Sequence, residues 1–87
     1  MDEYSRNEWY RFAVENGGVG SCVAAITCAG NRHTEHLAFR KGDQVTILYC
    51  LTYPGDNKYS QGWYLGCCGC MVGYFDGAHM ESVPPLL

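Results

Sequence analysis

Six cysteines and three histidines are the side chains of this 87-residue chain with the chemistry to bind a metal or act as nucleophiles. Cys67 and Cys70 have C-x-x-C spacing, which can hold zinc from a tight hairpin. The residues available to supply two further ligands are His33, His36, Cys22 and Cys28. Because there is no second C-x-x-C, and two strands around a turn already explain this one, we predict neither a metal nor another cofactor. Zinc binding stays an alternative.

Catalysis would need a nucleophile and a base, for which Cys28 and His79 form one conceivable pair. The sequence offers no third group to orient that pair and no oxyanion motif, so we predict a protein that is not an enzyme. Three disulfides would require pairing among three closely spaced cysteines. With no secretory signal in the sequence, we expect reduced thiols and a cytoplasmic location.

The composition indicates one small globular domain, with 47% hydrophobic and 14% aromatic residues. The net charge is −3, and the six lysines and arginines form no basic stripe. This balance argues against nucleic acid as a partner and favours a partner with basic groups. There is no run of eighteen apolar residues, so we predict no membrane span.

A helix is predicted over residues 4–17. Ser5 followed by Glu8 matches the capping box, in which a serine and a glutamate three residues later satisfy the first backbone amides. Tyr4 and Trp9 match the spacing of a hydrophobic staple across that cap. Ser5 is therefore the predicted N-cap.

The predicted helix has one apolar face and ends at a pair of glycines. The face carries Trp9, Phe12 and Ala13. Gly17 and Gly18 end the helix and open a glycine-rich hinge. A helix this short is not stable alone. We therefore expect residues 1–21 to form a helix and hinge, with the apolar face of the helix docking on the domain that follows.

From Cys22 onward the pattern changes to short strand-like segments separated by turns. "CVAAITCA" and "QVTILYC" are strand-like, and "WYLGCC" and "CMVGYF" flank Gly69 as a hairpin. A polar loop over residues 53–62 separates the two pairs. Several short strands of this kind predict a small all-β barrel or sandwich.

Three motifs resemble the SH3 domain family. "LAFRKGDQVTIL" resembles L-S-F-x-x-G-D-x-I-x-V-L, "GWYLG" resembles G-W-W-x-G, and "VGYFDGAHMESV" resembles V-G-L-F-P-S-N-Y-V-E-x-I. The segment 25–29 takes the place of A-L-Y-D-Y. The resemblance implies an all-β, five-stranded SH3-like barrel over residues 22–84, preceded by one short helix and followed by a tail at 85–87. Its RT loop would span about 30–35, and its n-Src loop about 51–62.

The resemblance also implies a groove for proline-rich ligands, in which prolines slot between aromatic rings and a loop carboxylate pairs with a ligand arginine. Of the family's groove positions, the tryptophan is kept as Trp63. The remaining ones correspond to Thr27, Ala29, Asp76, Ala78 and His79. Because these side chains cannot form the same slots, we expect PxxP binding to be absent or much weakened.

We therefore expect an atypical SH3 domain of an adaptor, scaffold or signalling protein, working as a non-enzymatic protein-interaction module. Its partner would be a protein or peptide, not necessarily of the PxxP class. The expected groove contacts are Trp63, Tyr64, Glu35, His36, Asp76 and His79. The expected n-Src loop contacts are Tyr53, Asp56 and Tyr59. The alternative is a packing domain whose groove is occluded by its own helix or by a neighbouring domain.

Overall fold

The computed structural model of the chain describes residues 1–51 and 62–83. The elements, in chain order, are α1 (Glu3–Asn16), β1 (Gly20–Val23), β2 (Gln44–Cys50), β3 (Trp63–Cys68), β4 (Met71–Asp76) and a 3-10 turn (Gly77–His79). The four strands form one antiparallel sheet in the order β1-β2-β3-β4. Most of the predicted polar loop, and the predicted tail at 85–87, lie outside the described residues.

The helix begins three residues earlier than the capping box predicted. Asp2 is the N-cap, and its carboxylate accepts a 2.7 Å hydrogen bond from the Ser5 backbone amide. That bond lowers the pKa of the Asp2 carboxyl below its usual value. The predicted staple is also wrong, because Tyr4 is 74% exposed. Aspartate caps a helix as well as serine does, and Asp2 additionally places negative charge at the positive end of the helix.

The predicted end of the helix is confirmed. Gly17 adopts a left-handed φ of 73°, and its amide donates to the Ala13 carbonyl at 3.0 Å. The Gly18 amide donates to the Phe12 carbonyl at 3.4 Å. These bonds satisfy carbonyls that would otherwise lack a partner at the helix end. In the described residues, no helix is long and apolar enough to cross a membrane.

The apolar face of α1 docks on the outer face of the sheet, as its pattern predicted. The outer face of the sheet carries four buried side chains, which we call the outer cluster: Leu48, Leu65, Cys67 and Val72. The residues packed against them include Met1, Trp9, Phe12 and Ala13 of the N-terminal segment, together with Tyr74 of β4. The Trp9 ring also contacts Tyr49 at a centroid distance of 6.2 Å. The sheet is therefore covered on this side by the helix.

The inner face of the sheet carries the main core. Its buried members are Cys22, Ala24, Leu37, Phe39, Val45, Ile47, Tyr64, Phe75 and Met80. A register irregularity between Ile47 and Tyr49 interrupts the pairing of β2 with β3. Ile47 points into the core and its neighbour Leu48 points into the outer cluster, as successive residues of a strand do. The sheet is thus buried on both faces.

The hairpin predicted around Gly69 is confirmed. Cys68 pairs with Met71, so the turn between β3 and β4 has two residues. Gly69, the first of them, has a φ of 64°. A positive φ at this position favours glycine, which has no Cβ to clash.

The predicted five-stranded closed barrel and its opening strand both need correction. The first strand is β1, several residues before the predicted segment at 25–29. Up to residue 83, where the described residues end, the segment after the 3-10 turn makes a single bridge, Met80 with Ala24. The Ala24 amide donates to Asp43, whereas the Ala25 amide donates to His79. Because pairing changes partner from one residue to the next, the described residues form an open four-stranded sheet.

Replacing Trp9 with alanine is expected to lower the free energy of unfolding by about 2 kcal/mol, because it removes a large ring packed on the outer cluster. Denaturant unfolding followed by circular dichroism measures the change. The matched control is Tyr4→Ala, which truncates an exposed aromatic residue of the same helix and should cost less than about 0.5 kcal/mol. Equal losses in the two variants would contradict docking through the Trp9 face.

The buried thiol of Cys22 predicts a loss of stability in alkali. Burial raises the pKa of this thiol from 9.0 to about 11. In the unfolded chain this thiol ionises at a lower pH than in the folded protein. The neutral thiol therefore contributes fully to the free energy of unfolding below about pH 9, and this contribution is lost as the pH rises through about 11. The free energy of unfolding should fall less steeply over this range in Cys22→Ala than in the original chain. Identical slopes in the two proteins would refute the prediction.

Candidate functional site

The predicted RT-loop region is held against β4 by two backbone hydrogen bonds. The Leu37 amide donates to the Tyr74 carbonyl at 2.8 Å, and the Tyr74 amide donates to the Glu35 carbonyl at 2.8 Å. These two bonds make a parallel bridge between His36 and Tyr74. Gly73 permits this approach, because an ideal Cβ there would lie 2.7 Å from the Glu35 carbonyl oxygen. The bridge fixes where each residue of segment 35–37 points.

An apolar groove lies beside this bridge, with a volume of about 220 Å³. Its lining comes from the loops before β2, the start of β3, the end of β4 and the 3-10 turn. The lining residues are Cys28, Gly30, His36, Leu37, Phe39, Trp63, Tyr74, Phe75, Asp76 and His79. None of them belongs to α1, so the helix does not occlude the groove. The other form of the alternative, occlusion by a neighbouring domain, stays a prediction.

Trp63 and His36 form one wall of the groove. Trp63 is 40% exposed, and the His36 ring stacks on it with a centroid distance of 5.4 Å and an interplanar angle of 26°. Thr34 Oγ1 lies 2.9 Å from His36 Nδ1. The His36 backbone also exchanges two hydrogen bonds with Asn31. Because ring and backbone are both held, the imidazole is preorganised beside the tryptophan.

Asp76 and His79 also line the groove, and Asp76 is the cross-strand partner of Trp63. Asp76 caps the 3-10 turn, and its Oδ1 accepts a 2.9 Å hydrogen bond from the Ala78 amide. The His79 side chain is half-buried on the last residue of that turn. The groove therefore presents a carboxylate and an imidazole at the positions that were matched to a proline and a tyrosine of the SH3 motif.

The structure brings four of the predicted contacts together at the groove, namely Trp63, His36, Asp76 and His79. It does not bring Tyr64 to the groove. Tyr64 is only 9% exposed, lies in the main core and stacks on Phe75 at 5.4 Å. Successive residues of a strand point to opposite faces, so Trp63 and Tyr64 do not share one surface.

Glu35 also lies away from the groove. Its φ is 61°, a left-handed value that is uncommon for a residue other than glycine. Its carboxylate accepts from the Met1 amine and lies 3.5 Å from Arg6 Nη2. The predicted acidic contact is therefore paired with the N-terminal segment. The predicted n-Src loop contacts Tyr53, Asp56 and Tyr59 lie outside the described residues.

The thiols do not assemble into a metal centre in the part of the chain that is described. Within residues 1–51 and 62–83 there is no group of three or more histidine, cysteine or acidic side chains that could hold a metal ion. The Cys67 thiol is buried and lies 3.5 Å from the Gly69 carbonyl oxygen, whereas Cys70 is exposed. Burial raises the pKa of the Cys67 thiol. The two ends of the C-x-x-C therefore occupy different environments.

Comparison with known proteins identifies the family. No family model matches the chain, and no curated protein matches it. Among solved structures, it is similar to the SH3 domain from a S. cerevisiae hypothetical 40.4 kDa protein, crystallised in complex with a peptide. The identity is 30% and the TM-score 0.55, over 77% of this chain and 100% of that chain. The chain therefore belongs to the SH3 domain family.

The groove contains residues that the prediction from sequence motifs missed, chiefly Tyr74 and Cys28. Cys28 pairs with Phe39 and lines the groove, whereas Thr27 and Ala29 are exposed. The alanine of A-L-Y-D-Y was matched to Ala25, one residue too late. The fully buried alanine is Ala24, and starting the motif there puts Cys28 at its second tyrosine. The antiparallel pairing of Cys28 with Phe39 is the signal that could have shown where the A-L-Y-D-Y motif begins in this chain.

Replacing Gly73 with alanine is expected to lower the free energy of unfolding by about 1–3 kcal/mol, because the new methyl group would force segment 35–37 away from β4. Denaturant unfolding measures the loss. The matched control is Gly17→Ala, where nothing lies within 4 Å and only the left-handed φ is strained, at about 1 kcal/mol. A loss at Gly73 smaller than that at Gly17 would contradict the close approach described above.

Proposed function

We propose that this chain is a non-enzymatic module that binds a peptide segment of a partner protein in the apolar groove. The observation that carries the proposal is the wall formed by Trp63 and His36, a large exposed ring held rigidly at the edge of a concave apolar surface. Such surfaces are common binding sites for side chains of a ligand. The similar yeast SH3 domain was crystallised with a peptide, which supports a ligand of the same general kind.

The groove favours a single apolar anchor over a polyproline helix. A polyproline ligand needs several parallel ridges of aromatic rings. Trp63 and Tyr74 can supply ring edges, but Cys28, Asp76 and His79 stand where further slots would form. Burying one large apolar side chain contributes about 1.5–3 kcal/mol. With a contact area at the small end of protein interfaces, we expect dissociation constants on the order of 10–100 µM.

We further propose that the module, over residues 22–84, serves an adaptor, scaffold or signalling protein in the cytoplasm. Support comes from its thiols, since Cys22, Cys28, Cys67, Cys68 and Cys70 are free. Cysteine-rich small domains of oxidising compartments usually pair such residues. The proposal of a non-enzymatic role is supported by the fold, because SH3 domains are interaction domains without catalytic activity. Cys28 and His79 do line the same groove, but in the described residues no hydrogen bond joins them.

Replacing Trp63 with alanine should weaken peptide binding at least about tenfold, because it removes one wall of the groove. The measurement is a nuclear magnetic resonance titration of the full chain with two sets of peptides, proline-rich and single-anchor. We expect the single-anchor peptides to shift the resonances of His36, Trp63 and Tyr74. Tyr4→Ala, an exposed aromatic residue of α1, should leave binding unchanged. Tight binding of PxxP peptides at Trp63 would contradict the single-anchor model, and the absence of binding by either set would contradict the proposed function.

A further inference from the structure

A second cavity, which we call the basin, continues the groove on the far side of His36. It has a volume of about 310 Å³ and lies between α1, the predicted RT loop and the β3–β4 turn. Its lining residues are Arg6, Asn31, Arg32, Glu35, His36, Cys70, Met71 and Val72. His36 lines both the groove and the basin. A ligand residue next to the one in the groove can therefore reach the basin across the imidazole.

The basin carries more positive than negative charge. It contains the two guanidinium groups of Arg6 and Arg32 and the single carboxylate of Glu35. That carboxylate is already paired with the Met1 amine and with Arg6, and its side chain is only 23% exposed. Arg32 is exposed and has no ion-pair or hydrogen-bond partner for its side chain among the described residues. One guanidinium group is thus left for a ligand.

His36 adds a polar group at the boundary between groove and basin. Its Nδ1 lies 2.9 Å from Thr34 Oγ1, so this nitrogen is occupied. Nε2 is the ring nitrogen without a partner in the described part of the chain. An imidazole nitrogen carrying a hydrogen, and a guanidinium group, both donate hydrogen bonds to carboxylates. The two side chains together suit an anionic ligand group.

We propose that the peptide ligand of this groove carries an aspartate or glutamate beside its apolar anchor, and that Arg32 and His36 receive this carboxylate. The inference rests on the proposed function, since it names the chemistry of that ligand. It reverses the pairing that the family resemblance implies, in which a carboxylate of the domain meets an arginine of the ligand. The reversal has a structural reason, because the one carboxylate of the loop, Glu35, is bound to the N-terminal segment.

The net charge of −3 does not oppose this inference. Charges separated by more than about 8–10 Å are largely screened at physiological salt. Several of the acidic residues lie on or before α1, namely Asp2, Glu3, Glu8 and Glu15. Glu8 and Glu15 are paired with Arg11. A ligand at the groove is therefore influenced mainly by the charges of the basin and by Asp76, whose carboxylate lines the groove and accepts a hydrogen bond from the Ala78 amide.

The test uses the full chain and synthetic peptides that share one leucine or phenylalanine anchor. The neighbouring positions carry aspartate, serine or lysine, and a resonance titration that follows the indole signal of Trp63 reports binding. We expect the aspartate peptides to bind about tenfold more tightly than the lysine peptides, a difference that decreases at high salt. Equal affinity, or tighter binding of the lysine peptides, would overturn the inference.

Two charge-reversing variants separate a local effect from a general one. Arg32→Glu should abolish the preference for aspartate or convert it into a preference for lysine. Lys41→Glu changes the net charge by the same amount at an exposed position that lines neither the groove nor the basin, and it should keep the preference. If both variants lose it equally, the charge effect is not local and the inference is wrong.

Failure of the inference can be told apart from failure of the proposed function. If the aspartate, serine and lysine peptides bind at Trp63 with equal affinity, only the assignment of the ligand carboxylate to Arg32 and His36 is wrong. If none of the three peptide classes perturbs Trp63, the peptide-binding function itself is wrong, and the inference is wrong with it. Equal melting temperatures of the chain and of Arg32→Glu would show that an altered preference does not come from unfolding.

Discussion

The arrangement of the site depends on one backbone contact, the bridge between His36 and Tyr74. It assigns three consecutive residues to three environments. Leu37 is 1% exposed and lies in the main core, His36 lies in the groove, and Glu35 faces the N-terminal segment. The contact exists because Gly73 lets the two backbones approach closely. Together with the two backbone bonds between His36 and Asn31, it holds the imidazole against Trp63.

Tyr74 links this bridge to the helix on the other side of the sheet. Its side chain packs against the outer cluster that α1 covers, and it also lines the groove. Docking of α1 therefore contributes to the rigidity of a residue that a ligand would touch, while leaving the groove open. This arrangement differs from occlusion, because the helix stabilises the site from behind instead of filling it.

The sequence predicted the family, the helix face, the helix end and the β3–β4 turn, all of which rest on short-range patterns. Glycines at 17 and 69 and the spacing of Trp9 with Phe12 determine local geometry regardless of the rest of the chain. The errors arose where long-range hydrogen bonds decide the outcome. The register at Ala24, for example, is set by partners in the turn before β2, and residue spacing carries no information about them.

The direction of side chains was the other limit of sequence analysis. Glu35 and His36 are adjacent, and both were predicted as groove contacts, but a left-handed φ at Glu35 turns the carboxylate away while the imidazole remains. A domain that commits its loop carboxylate to its own N-terminal segment no longer has that charge to offer a basic ligand. The guanidinium group of Arg32 and the imidazole of His36 remain in the basin, so the ion pairs that tie Glu35 to the N-terminal segment leave that cavity with positive charge.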